Sequence, residues 1–211
     1  MSDAEDHPTD QPGKNVTRRI TPAGFVLALL LFLLLPVALG SCDVPTDGGT
    51  SAGTIAVSFS GADLAVARTP LETTGDFALT PAEYVDAANL LEMPGAVQLF
   101  AICAAAFLVL GAATALARTV RVRAIAAAVA AGGAAALVAV TGSQAVGGLT
   151  RNVEGVLVLA GGLPQVKGKG LDNRIGEVIH IGLGFWLVMA LLVLLLAVNV
   201  VVVARGRGSS P

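Results

Sequence analysis

The chain has 211 residues, of which 55% are hydrophobic and only 13% charged, with a formal net charge of −2 and a mean hydropathy of +0.78. Soluble domains carry roughly 25% charged residues, so lipid rather than a buried core must absorb the excess apolar surface here. No run of Lys or Arg is long enough for a nucleic-acid partner, and two cysteines make no disulfide framework.

Residues 1–19 open with a polar, acidic stretch containing Pro8, Pro12 and Gly13, which has almost nothing to bury and reads as a disordered tail. Lys14, Arg18 and Arg19 then precede an apolar run. Positive charge beside a membrane segment favours the cytoplasmic side, so the N-terminus is predicted to be inside. Residues 20–41 are apolar over about the ~20 residues a bilayer crossing needs and are predicted to form the first transmembrane helix, bent or ended near Pro36.

The end of that run, Leu39-Gly40-Ser41-Cys42, also has the local pattern of a lipoprotein processing site, which would make Cys42 a lipidated first residue. The apolar run is longer than the ~7–15 residues of a signal-peptide core and its polar leader is long as well, so the reading adopted is a retained helix.

Residues 42–96 form the longest connection. They hold eight acids (Asp43, Asp47, Asp63, Glu72, Asp76, Glu83, Asp86, Glu92) against one base, Arg68, as expected of an extracytoplasmic loop. Thr54 to Ser60 alternates Ile55, Val57 and Phe59 with small or hydroxyl residues and predicts a half-buried strand. Thr80-Pro81-Ala82-Glu83 predicts a helix start with a capping box, running to Leu91.

Residues 97–117 predict the second span. Arg118, Arg121 and Arg123 then mark a cytoplasmic turn over residues 118–123. The third span, 124–146, is built of Ala, Val and Gly. Its Ala128, Gly132 and Ala136 have the four-residue spacing that lets helix backbones approach, so it is expected to face its neighbours. Residues 147–177 return outside, and Val153 to Ala160 is ambiguous between an interfacial segment and a strand that would pair with Thr54 to Ser60 in a small external sheet. Residues 178–204 predict the fourth span, with Arg205 and Arg207 holding the tail 205–211 inside. The fold class is therefore an all-α membrane protein, a bundle of four transmembrane helices with a structured external loop.

Candidate chemistry is sparse. Glu177 and His180, three apart at the expected start of the fourth helix, would share a face, yet two ligands do not make a zinc site and an interfacial polar pair explains them. No Asp, Glu, Lys or Arg falls inside a predicted span, where proton-coupled transporters and voltage sensors keep such groups. Gln98, Thr141, Ser143, Gln144 and Asn199 are read as interhelical or interfacial polar residues, and Cys103 as a packing residue. No catalytic, cofactor or metal residues are assigned.

Leu35-Pro36, Ser41-Cys42 and Phe59-Ser60-Gly61-Ala62-Asp63-Leu64-Ala65 together resemble small four-helix membrane proteins of actinobacteria that have no assigned activity. That resemblance implies that the proline–cysteine end of the first helix is kept. The expectation is a multi-pass cell-membrane protein that is not an enzyme and binds a membrane or cell-envelope protein through its acidic loop. The alternatives are a small transporter or channel, with the Ala/Gly-rich third helix lining a path to Thr141 or Asn199, and a lipoprotein anchored at Cys42.

Overall fold

The structure, a computed structural model, describes residues 12–45, 51–74, 94–117, 119–161 and 179–205. These residues are mostly helical. In chain order they form α1 (Pro12–Leu34), β1 (Pro36–Pro45), β2 (Ser51–Ser60), α2 (Gly61–Ala65), β3 (Leu71–Thr73), α3 (Gly95–Ala113, extended by a 3₁₀ turn at Thr114–Leu116), α4 (Val120–Gly161), β4 (Ile179–Ile181) and α5 (Leu183–Arg205).

Three of the helical segments, Gly95–Leu116, Val120–Thr150 and Leu183–Arg205, are long and apolar enough to cross a membrane. Fewer than four in ten residues of their most apolar stretches are buried within the molecule. Leu99, Ile102, Val109, Leu110, Val129, Leu187, Val193 and Leu194 are among the large apolar side chains left exposed. A water-soluble chain rarely leaves such a continuous apolar surface uncovered.

The first helix corrects the expected span 20–41. Its apolar part covers only Ile20–Leu34, about 22 Å at the rise of an α-helix. The Leu35 N–H makes the last helical bond, to Leu31 O at 3.0 Å. Proline at 36 has no N–H to continue the ladder and disfavours helical geometry at the residue before it. The chain leaves the helix there and becomes β1.

β1 is the centre of a four-stranded antiparallel sheet of order β3-β2-β1-β4. The strand expected at Thr54 to Ser60 is present as part of β2, but its partners are β1 and β3. Val153 to Ala160, the anticipated partner, is instead the last part of α4. The expected start of the last span at residue 178 is also corrected. Ile179, His180 and Ile181 pair with Gly40, Leu39 and Ala38, and α5 begins only at Leu183. The helix expected from Thr80 to Leu91 lies outside the described residues.

α1 packs against α3 and α5, and α4 packs against the same two helices. The buried side chains alternate at spacings of three and four: Val97, Ala101, Ala104 and Leu108 on α3, and Phe185, Val188, Leu192 and Leu195 on α5. This is the seam of near-parallel helix packing. On α4 the seam is Ala124, Ala127, Ala131, Ala134, Val138, Thr141, Ala145 and Leu149. The predicted packing stripe Ala128, Gly132, Ala136 is therefore displaced from the true one. Ala136 is exposed, and a Cβ added to Gly132 would meet nothing within 4 Å. The seam continues to Leu149, which carries the helix past the expected end at 146.

Phenylalanines enter gaps left by glycines on neighbouring helices. A Cβ on Gly111 of α3 would strike the Phe25 ring of α1, one on Gly133 of α4 would sit 2.6 Å from Phe107 of α3, and one on Gly142 of α4 would sit 2.9 Å from Phe185 of α5. Helices in lipid gain no hydrophobic drive to associate, so this close shape matching has to hold them together. Gly111→Val should therefore lower stability by about 1–3 kcal/mol through overpacking. The measurement is the thermal unfolding midpoint in detergent, with Gly132→Ala, which meets open space, expected to leave it unchanged or raise it.

Candidate functional site at the sheet end of the helices

The sheet sits on one end of the helices because both of its central connections are nearly absent. A single residue, Leu35, separates α1 from β1, and Gly182 alone separates β4 from α5. The Gly182 N–H donates to Val37 O at 2.8 Å, and the Phe185 N–H donates back to Gly182 O at 3.1 Å. A side chain at 182 would run into the Pro36 carbonyl, so only glycine fits this crossing. α1 and α5 are antiparallel, since Leu35 lies beside Gly184 and Leu195 beside Gly24. The sheet therefore occupies the end opposite Arg205.

The inner face of the sheet is apolar. Leu71, Val57, Gly40 and Ile179 form one row across the four strands, with Leu71, Val57 and Ile179 all at least nine-tenths buried. In the next row Phe59 and Ala38 are fully buried, while Ile181 at the edge is 39% exposed. The outer face alternates with it and is polar. Ser58, Leu39 and His180 form one row, and Glu72, Ala56 and Ser41 another, with Ser41, Ser58, Glu72 and His180 exposed.

α2 is fixed beside the sheet by a capping box that sequence reasoning passed over. The Ser60 N–H and hydroxyl donate to Asp63 Oδ2 at 3.0 and 2.6 Å, and the Asp63 N–H donates to Ser60 Oγ at 3.2 Å. The signal was present as Ser-x-x-Asp. Gly61 lies against Phe32 of α1, Leu64 is buried, and the Gln98 amide donates to Ala65 O at 3.1 Å, tying α2 to α3. Beyond it the chain turns through Ala67 at φ 53°, a left-handed conformation a non-glycine residue rarely takes, and leaves Val66 and Arg68 exposed.

The residues singled out from sequence are placed as follows. Asp63 of the acidic loop is committed to its cap, Glu72 is exposed, and Asp43 stands in β1 opposite Thr54. Asp47, Asp76, Glu83, Asp86, Glu92 and Glu177 lie outside the described residues. His180 belongs to a strand, so the helical spacing that would set it on one face with Glu177 does not hold at this position. Cys42 stands inside β1 opposite Ile55, and Cys103 is a free thiol on α3. Among the described residues no three His, Cys, Asp or Glu side chains converge as a metal site.

Thr141 and Asn199 are buried but satisfied within their own helices, donating to Leu137 O at 2.8 Å and Leu195 O at 2.7 Å. Ser143 likewise donates to Val140 O of its own helix. Trp186 is 60% exposed and meets Phe185 edge-on with ring centroids 5.3 Å apart, at the level where α5 leaves the sheet. Amphipathic rings of this kind are enriched where membrane proteins meet the lipid–water boundary. No known protein family, curated protein or solved structure matches the chain.

The strand register makes a direct prediction. In a Cys42→Ser/Cys103→Ser background, Leu39→Cys with His180→Cys should form a disulfide on oxidation, because directly opposed antiparallel residues have Cα atoms within disulfide reach. Thiol alkylation followed by mass spectrometry reads it, and Leu39→Cys with Ile181→Cys should stay reduced. Ser60→Ala should cost about 1 kcal/mol through loss of the cap, read as faster amide exchange over residues 61–65.

Proposed function

We propose that the chain is a four-span cell-membrane protein with both termini cytoplasmic, acting as a non-catalytic accessory or scaffold component that presents its sheet-capped external end to a membrane or cell-envelope protein. The observation that carries this reading is the contrast between the two surfaces. Apolar side chains cover the flanks of α3, α4 and α5, while the sheet above them turns Ser41, Ser58, Glu72 and His180 outward on strands bonded to the helix ends. A polar face on a rigid support is suited to recognition.

Arg121 and Arg123 at the start of α4 and Arg205 at the end of α5 gather at the opposite end, which supports placing that end in the cytoplasm. α1 joins the other three as the fourth span. Its apolar helix is short of the ~30 Å hydrocarbon thickness, and the buried residues Val37, Ala38 and Phe59 of the sheet extend the apolar column above it.

Retention of α1 is favoured over a lipoprotein processed at Cys42. Cleavage there would remove Phe25, Phe32, Val37 and Ala38, all fully buried, together with every β1 residue that pairs with β4.

Two measurements test the reading. Intact mass spectrometry of the protein purified from its own membranes should give the full-length chain, and a mass beginning at a lipidated Cys42 would overturn the four-span topology. A photo-crosslinking amino acid at Ser58 should capture one reproducible protein partner, whereas the same group at the lipid-facing Leu194 should not. Equal crosslinking at both positions, or none at Ser58, would sink the scaffold reading.

A further inference from the structure

At the end of the helices away from the sheet, α4 and α5 leave an apolar groove of about 270 Å³ between them, lined by Ile125, Ala128, Val129, Val200, Val203 and Ala204. The small side chains of Ala128 and Ala204 create the space.

Two exposed arginines stand close along the chain to residues that line the groove. Arg121 lies one helical turn before Ile125 on the same face of α4, and Arg205 directly follows Ala204 on α5. The chain has no Asp or Glu between residues 93 and 153 and none after Glu177. The one acid on these helices, Glu154, lies near the far end of α4 from Arg121, so neither guanidinium group has an acid beside it on its own helix.

On the membrane reading above, on which this inference rests, we infer that the groove is a binding site for an anionic phospholipid, with one acyl chain in the groove and the phosphate held by Arg121 and Arg205. A guanidinium fork matches phosphate geometry and is less strongly hydrated than an ammonium, which suits it to the headgroup level. Charge selects the occupant: exposed guanidinium groups beside an apolar groove complement a molecule that joins an anionic headgroup to an apolar chain. An acyl chain is narrow enough to enter.

The test uses the full chain, extracted in mild detergent, stripped of lipid and offered phosphatidylglycerol or phosphatidylcholine at equal concentration, with bound lipid counted by native mass spectrometry. Wild type should retain phosphatidylglycerol in preference to phosphatidylcholine. Arg121→Gln/Arg205→Gln should weaken phosphatidylglycerol binding about 30-fold, the effect expected of two arginines at a membrane surface. Ala128→Leu, which fills the groove, should remove it with both arginines intact, and Ala204→Leu serves the same purpose if Ala128→Leu does not fold.

Equal retention of the two lipids, wild-type binding by the arginine pair variant, or wild-type binding by the groove-filled variant would each overturn the site. So would a lipid-free dimer that Ala128→Leu dissociates. Release of the wild-type protein from membranes by a carbonate wash would instead strike the membrane reading, which separates the two failures.

Discussion

Proline at position 36 sets the terms for the rest of the molecule. A helix that stops at Leu34 leaves carbonyl groups without helical partners, and the extended chain after it needs partners for its own N–H and C=O groups. The sheet answers that demand. β1 receives β2 on one side and β4 on the other, and Val37 and Ala38 are shut in completely. The sheet is thus part of how the first helix ends.

The same economy of space explains the helices below. α3 and α4 are built largely of alanine and glycine, so their axes can approach closely, and the bulk needed to fill the remaining volume comes from a few phenylalanines. Phe25, Phe107 and Phe185 each enter a glycine gap on a neighbouring helix. The contacts at Gly111 and Gly142 are specific in register, since a shift by one residue would bring the ring against a Cβ. Polar residues contribute differently from the sequence expectation. Thr141 and Asn199 donate within their own turns instead of across to a neighbouring helix.

Three long apolar helices and the strand in β2 were legible because their signals are local: unbroken hydrophobicity over a bilayer length, and period-two alternation at Ile55, Val57 and Phe59. The ends of elements were less so. Pro36 was recognised as a helix breaker, yet the apolar residues after it read as more helix, because a bulge between Pro36 and Ala38 buries Val37 and Ala38 together and breaks the alternation of a strand. β4 is three residues long and exists only through its pairing with β1, which no local pattern encodes. The packing face of α4 was misplaced for a related reason. In a helix where nearly every residue is small, four-residue spacing occurs on several faces, and only the partners' side chains decide which one is buried.

The tightness of the two connections bears on how such a scaffold would work. With one residue between α1 and β1 and one between β4 and α5, and with the Gly182 N–H bonded to Val37 O across the crossing, no linker is long enough to let the sheet swing relative to the helices. A partner seated on the outer face would be held at a fixed height and orientation. Force applied to the sheet would pass directly into α1 and α5, which stay side by side as far as Gly24 and Leu195. The phenylalanine contacts of α1 and α5 with α3 and α4 would then spread that load over the remaining helices. Rigid coupling of this kind suits a part that positions other proteins better than one that must open and close.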